Sequence, residues 1–187
     1  MTDTTAIPAF SPLDIPRRSL AWKTGAVLVG TLILALSSRV EVPMYPVPMT
    51  MQTLAVTMIG ALYGWRLGAI TVLAWLAQGA LGLPVFAGGL GGIARFFGPT
   101  GGYLLAFPIV AALVGWLAER GWNGHRIGLA FAAMLMGNLL CLALGGAWLA
   151  VMIGAQKAFA AGVAPFLIGG ALKSALGALA LRATARK

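Results

Sequence analysis

Long apolar runs separated by single charged residues constrain this chain more than any other feature. Uncharged stretches cover residues 24–38, 42–65, 67–94, 96–118, 127–156 and 158–172, and the last continues past Lys173 to Leu181. An α-helix needs roughly 20 apolar residues to cross a bilayer. Only 9% of the residues are charged, against about 25% in soluble domains. The sequence therefore predicts an integral membrane protein in a lipid bilayer, without a separate soluble domain.

We expect an all-α membrane domain of six transmembrane helices. The predicted helices cover approximately residues 20–38, 50–65, 67–82, 101–118, 126–144 and 165–183. Two runs exceed the length of a span, and their surplus, residues 82–102 and 145–165, is rich in Gly and Pro. This surplus predicts outer loops, the second with a short helix near residues 148–161. Residues 1–19 lack the features of a signal peptide and are predicted to form a polar cytoplasmic tail, followed by the membrane domain over residues 20–187.

The positions of Lys and Arg predict the orientation, because basic residues near span ends stay on the cytoplasmic side. With the N-terminus inside, the outer connections hold only Arg39, Arg95 and Lys157. The inner segments hold nine basic residues: Arg17, Arg18, Lys23, Arg66, Arg120, Arg126, Arg182, Arg186 and Lys187. Both termini are therefore predicted to be cytoplasmic. The same distribution explains the net charge of +9, so we do not expect a nucleic-acid partner.

The residues that catalysis requires are scarce. The chain has one His, His125, one Cys, Cys141, and four acidic residues, which is too few for a metal cluster. The serines within the spans have no base nearby to activate them. The Gly-rich segment 82–103 lacks the Gly-Lys-Ser/Thr ending of a nucleotide-binding loop. We therefore expect neither an enzyme nor a resident metal or cofactor.

Lys173 is the most informative single residue. An ionisable side chain within a span is costly and marks a functional site, yet no Asp or Glu lies in any predicted span. A ligand carboxylate could supply the missing partner, or the lysine could extend its ammonium group to the interface. Asn138 on the fifth helix is a second candidate, unless its amide only joins two helices.

Further candidates lie at the predicted outer face. Gln52 and Thr50 open the second helix, where Thr50 can also act as the N-cap. Gln78, near the end of the third helix, is a weaker candidate of the same kind. Arg95 lies in the Gly-rich segment among aromatic residues, where it could hold an anion or be a solvated loop residue.

Three ordered motifs carry a resemblance to a known family. They are Pro-Val-Pro-Met-Thr-Met-Gln-Thr-Leu-Ala at 46–55, Gly-Leu-Pro-Val-Phe-Ala-Gly-Gly at 82–89 and Gly-Pro-Thr-Gly-Gly-Tyr-Leu at 98–104. With residues 137–139 and 162–167 and the following Lys173, they resemble the BioY family. That family comprises the biotin-capturing substrate subunits of energy-coupling-factor transporters. The resemblance covers nearly all of the chain after residue 20.

The resemblance implies a multi-pass protein of the bacterial plasma membrane that captures biotin at the outer face. It also implies that a transmembrane coupling subunit and two ATPase subunits act as partners, so that any ATP hydrolysis takes place on those subunits. Lys173 matches the family's lysine that meets the ligand, and Asn138 matches the family's amide on the fifth helix. Gly170 stands where the family usually has Asp.

Biotin has a carboxylate that needs a cation, a ureido ring that needs hydrogen-bond partners, and a thioether ring that suits aromatic walls. Lys173 or Arg95 could pair with the carboxylate. The walls are expected to come from Phe86, Tyr103 and Trp148. Two alternatives remain, namely another carboxylate-bearing vitamin or precursor as the ligand of the same fold, and a membrane scaffold without a transport function.

Overall fold

The computed structural model describes residues 18–185, so the predicted tail lies outside the described residues except for its last two positions. The long helices are α1 (Leu20–Ser37), α2 (Gln52–Ala80), α3 (Gly101–Glu119), α4 (Ile127–Ile153) and α6 (Ala164–Ala185). A short helix α5 (Ala155–Ala158) and a π-helical segment, Phe159–Val163, lead into α6. Two short strands, β1 (Glu41–Val42) and β2 (Met49–Thr50), pair antiparallel with Glu41 opposite Thr50.

The long helices have the apolar character of membrane spans. Within the described residues, five helical segments are long and apolar enough to cross a bilayer, the fifth running over Ala155–Ala185. Their outward faces are apolar as well, since Leu28 and Leu32 on α1 and Leu172 and Leu176 on α6 are all more than half exposed. In water such faces would be unfavourable. The fold is therefore that of a mostly helical membrane protein.

Helix α2 reverses direction at Gly64, which has the positive φ of 76° that favours glycine. The evidence for the reversal is the close approach of Gly68 to Gly60, because a Cβ added at Gly68 would lie 3.0 Å from the Cα of Gly60. Residues eight positions apart in a continuous helix are separated by about 12 Å along its axis. Residues 52–63 and 65–80 are therefore two helical segments packed against each other. They correspond to the helices predicted over 50–65 and 67–82.

The prediction of a loop over residues 145–165 is wrong, because α4 continues to Ile153 and helical structure resumes at Ala155. The glycines there serve packing. An added Cβ at Gly145 would lie 2.2 Å from the ring of Tyr103, and one at Gly146 would lie 2.7 Å from Val163. The chain turns only at Gly154, where φ is +88°. Gly145 and Gly146 thus bring α4 close to its neighbours without interrupting it.

Residues 81–100 connect α2 to α3 with two 3₁₀ turns, Ala87–Gly89 and Ile93–Phe96. Phe86 anchors this connection in the core, where it is 3% exposed. Its ring lies against Gly79 and meets Trp75 edge-to-face, with centroids 5.1 Å apart. The indole Nε1 of Trp75 donates to Val85 O at 3.2 Å. These contacts hold the connection over the end of the helical bundle.

Candidate ligand-binding site

A cavity of about 630 Å³ lies at the end of the bundle where the connections 38–51 and 81–100 meet. Its walls come from these two connections, from the start of α2 and from α3, α4 and α6. Small-molecule sites have volumes of about 300–1,000 Å³. Seven of the nine candidate residues line the cavity, namely Thr50, Gln52, Phe86, Arg95, Tyr103, Asn138 and Lys173.

Lys173 joins α6 to the start of α2. Its Nζ donates to the backbone oxygen of Thr50 and to Thr53 Oγ1, the latter at 3.4 Å. Both acceptors are uncharged. The two acids among the described residues, Glu41 and Glu119, accept from the backbone amides of other residues. Lys173 therefore presents a positive charge to the cavity, and no carboxylate of the described part of the chain is bound to it.

Gln52 is held by the turn that starts α2. Thr50 Oγ1 donates to Gln52 Oε1 at 3.0 Å and accepts from the Gln52 backbone amide at 3.3 Å. The N-cap residue is Met51, which makes no side-chain cap bond, and not Thr50 as predicted. Thr50 precedes the N-cap, and its hydroxyl still accepts from the first amide of the helix. The Gln52 Nε2 atom is buried and has no hydrogen-bond partner among residues 18–185.

Asn138 is tied into the contact between α4 and α6. Its Nδ2 donates to Met134 O and to Ser174 Oγ, both at 3.1 Å. Ser174 in turn donates to Gly170 O at 2.7 Å. Both amide hydrogens of Asn138 are therefore used within the protein, whereas its Oδ1 accepts no hydrogen bond from residues 18–185. The helix-joining role and a ligand-facing role are compatible, because they use different atoms.

Aromatic side chains form the apolar walls. The rings of Tyr103 and Phe166 lie 6.5 Å apart at an interplanar angle of 28°, and both line the cavity with Phe86 and Phe107. Tyr103 donates from its hydroxyl to Gly162 O at 2.7 Å, which fixes its ring. The cavity thus combines a polar end with rigid aromatic walls.

Arg95 lies at the cavity edge and is exposed. Two contacts connect the neighbouring loops, since Arg39 donates to Pro84 O at 2.7 Å and Glu41 accepts from Gly88 N at 3.0 Å. Two cationic side chains, Lys173 and Arg95, line different parts of the cavity. Lys173 belongs to the polar cluster on α2 and α6, whereas Arg95 belongs to the connection 81–100.

Trp148 and Gln78 lie elsewhere. Trp148 does not line the cavity. Its indole Nε1 donates to Gly98 O at 3.0 Å, so Trp148 supports the connection 81–100 without facing the cavity. Gln78 donates to Thr31 Oγ1 at 3.4 Å and joins α2 to α1.

Sequence reasoning did not select Glu41, Thr53, Phe166 or Ser174 as site residues. An acid in an otherwise apolar outer segment was a detectable signal for Glu41. Ser174 and Thr53 gave no signal, because serine and threonine in apolar helices commonly bond to their own backbone. Residues 18–185 contain no group of three or more His, Cys, Asp or Glu side chains that could hold a metal ion.

A family model described as the BioY family matches residues 13–187. The chain belongs to the BioY family. The family predicted from the three sequence motifs is thereby confirmed.

Among curated relatives of this BioY chain, the "Probable biotin transporter BioY" of Pyrococcus horikoshii is 40% identical over 82% of this chain and 91% of that protein. The "Biotin transporter BioY" of Rhizobium etli is 39% identical over 83% of this chain and 88% of that protein. Both are named as transporters and neither as an enzyme, in agreement with the prediction that the chain is not an enzyme. A crystal structure of the S-component for biotin from an ECF-type ABC transporter superposes with a TM-score of 0.78 at 25% identity, covering 91% of this chain and 95% of that chain.

Proposed function

We propose that this chain is the substrate-capture subunit of an uptake transporter for biotin. The observation that carries the proposal is the cavity with one polar end, built by Lys173, Gln52 and Asn138, and with aromatic walls. The similarity to the S-component for biotin supports the same function. Biotin matches the arrangement, because its thioether ring is compact and apolar, its ureido ring forms several hydrogen bonds and its carboxylate carries one negative charge.

The proposed topology has six spans. The two segments of α2, residues 52–63 and 65–80, are counted separately because the chain reverses at Gly64. With α1, α3, α4 and the helical run 155–185, the chain makes six passes, and the start of α1 and the end of α6 lie on one side. The cavity is at the opposite end.

Basic residues support an outward-facing cavity. The turns and helix ends away from the cavity hold Arg66, Arg120, Arg126 and Arg182, with Arg18 and Lys23 near the start of α1. Because basic residues stay in the cytoplasm, this end is proposed to be cytoplasmic together with both termini. The cavity then opens at the outer face of the bacterial plasma membrane.

Release into the cell requires an energy source that we place on other subunits. The similarity to an ECF-type S-component supports a transmembrane coupling subunit and two ATPase subunits as partners. The chain itself is proposed to bind no cofactor. Transport would then consist of capture by this chain and release driven by its partners.

Gly170 favours one alternative, a different carboxylate-bearing vitamin or precursor as the ligand. It lines the cavity and leaves that part of the wall without a side chain. Since the family usually has Asp at this position, the shape and charge of the site differ from the family pattern.

Equilibrium titration of the purified chain in detergent with radiolabelled biotin tests the proposal. We expect saturable binding that unlabelled biotin displaces and that other carboxylate-bearing vitamins displace only at much higher concentration. Displacement by another vitamin at lower concentration than biotin would favour the alternative ligand. No saturable biotin binding by the folded protein would refute the proposal.

A further inference from the structure

Two arginines at the end of the bundle away from the cavity stack on tryptophan rings. The Arg66 guanidinium carbon lies over the Trp65 ring at 5.0 Å from the centroid, and that of Arg120 lies over the Trp116 ring at 3.6 Å. Both arginines are exposed, and neither has a carboxylate partner within residues 18–185. Stacking occupies one face of a guanidinium and leaves its in-plane N–H groups available for an anion.

The two arginine–tryptophan pairs lie next to each other. A Cβ added at Gly115 of α3 would lie 2.5 Å from the Trp65 nitrogen, and Glu119, one helical turn later, accepts from that nitrogen at 3.1 Å. Trp116 and Arg120 follow these two residues by one position, which places them about 100° around α3, on the adjoining face. The turn at residues 64–66 and the end of α3 therefore bring both arginines to one region of the surface.

Each arginine also lies at the end of an exposed apolar stripe on one face of its helix. The stripe residues recur at intervals of three, four or seven positions and are 43–54% exposed: Leu105, Ile109 and Trp116 on α3, and Ile70 and Leu73 on α2. Arg120 follows the first stripe, and Arg66 precedes the second. An apolar stripe that ends in a cation fits a molecule with an acyl chain and an anionic headgroup, whereas a small soluble anion would use the cation alone.

We propose that Trp65, Arg66, Trp116 and Arg120 form a binding site for an anionic phospholipid. The two guanidinium groups bind the headgroup phosphate, the indole rings lie at the level of the headgroups, and the stripes contact the acyl chains. A zwitterionic headgroup fits less well, because the carboxylate of Glu119 already accepts from the Trp65 amide. None of the four residues lines the cavity, so this site is independent of the proposed function.

The test measures lipid binding to the full chain after it has been purified and delipidated in detergent. Native mass spectrometry follows the first bound lipid as dioleoyl phosphatidylglycerol or dioleoyl phosphatidylcholine is added, two lipids that differ only in the headgroup. We expect wild-type protein to prefer phosphatidylglycerol by at least about tenfold, because each basic residue near an anionic headgroup contributes about fivefold. Glycerol 3-phosphate, which lacks acyl chains, should not displace phosphatidylglycerol; its displacement of the lipid at equal concentration would indicate a site for soluble anions and contradict the proposal.

The double variant Arg66→Gln, Arg120→Gln removes both charges and keeps polar side chains of similar length. Its preference for phosphatidylglycerol should fall to within about twofold, and each single variant should lose about fivefold. The matched control is Arg126→Gln, Arg182→Gln. It removes the same charge from exposed arginines at the same end that lie over no ring of the described residues, and it should keep the wild-type preference.

Thermal unfolding in detergent shows whether each variant is folded, and the single variants decide if the double variant is not. The proposal is refuted if the folded arginine variants keep the wild-type preference, or if the control loses as much as the double variant. A wild-type preference below about twofold, together with loss of a co-purifying membrane protein in the double variant, would assign this surface to a protein partner instead. Biotin titration tests the proposed function separately, because these substitutions lie outside the cavity.

Discussion

Replacing Lys173 by Met tests the electrostatics of the polar cluster. The change removes the positive charge of a partly buried side chain and keeps an unbranched apolar chain of similar length. The ammonium group donates to Thr50 O and Thr53 Oγ1. With three N–H donors on the ammonium group, one remains for the ligand.

The size of the effect follows from that remaining donor. A hydrogen bond from a charged group contributes about 1.5–3 kcal/mol, and 1.4 kcal/mol corresponds to tenfold in affinity. Lys173→Met should therefore weaken biotin binding by about tenfold to a hundredfold. The free energy of unfolding should change less. The loss of two hydrogen bonds destabilises the variant, whereas removal of a partly buried charge stabilises it.

The assay compares biotin with biotin amide, which keeps the urea and lacks the negative charge. Because the polar end of the cavity offers several hydrogen-bonding groups beside Lys173, we place the urea there, and Lys173→Met should weaken both ligands by similar factors. Arg95→Gln should weaken biotin more than biotin amide. Each variant is titrated in the same detergent, and its thermal unfolding temperature is measured to show that it is folded.

Two results would contradict this reasoning. Unchanged biotin affinity in folded Lys173→Met protein would mean that the lysine only bonds to the start of α2. A loss confined to biotin, with biotin amide unaffected, would place the carboxylate at Lys173 and overturn the orientation of the ligand.

Three further predictions concern the wall, the turn and the topology. Gly170→Asp adds a Cβ that would make only ordinary contacts with Asn138, at 3.6 Å or more. It should tighten biotin binding by up to about tenfold, because the carboxylate accepts from the ureido N–H groups; equal or weaker binding by titration would contradict this. Gly64→Ala should destabilise the protein by about 1–3 kcal/mol, because only glycine readily adopts φ 76° with ψ 172° and the added Cβ would clash with the Glu119 carboxylate. Gly128→Ala, with open space around it, should leave thermal unfolding nearly unchanged. In a Cys141→Ala background, Tyr45→Cys should react with an impermeant thiol reagent in intact cells and Gly128→Cys should not, and the reverse pattern would invert the proposed topology.

Much of the helical layout could be predicted from the sequence, because membrane spans must be long and apolar. Glycine was the source of error. Gly64 and Gly154 have positive φ and redirect the chain, whereas Gly145 lies inside a helix and makes room for the ring of Tyr103. These roles depend on which helix lies opposite, and a single sequence does not contain that information.

Lys173, Asn138 and Gln52 could be selected because polar side chains are rare and costly in apolar helices. Their atom-by-atom roles could not be predicted. Whether Asn138 offers a donor or an acceptor depends on Ser174, which lies 36 residues later and reaches it only through the contact of α4 with α6. Similarly, Trp148 was predicted to form part of the cavity wall. It lies outside the cavity because α4 packs against Gly102 at this position.

The polar end of the cavity holds groups that folding alone would not favour. An unpaired buried amide costs about 1–3 kcal/mol, and the charge of Lys173 is partly buried without a carboxylate bound to it. The surrounding packing makes these groups tolerable, and contacts such as the hydrogen bond from Tyr103 to Gly162 O hold the aromatic wall in place. A ligand that pairs with both groups removes these costs. It therefore binds more tightly than its small apolar area would allow, and the same unpaired groups disfavour ligands that cannot pair with them.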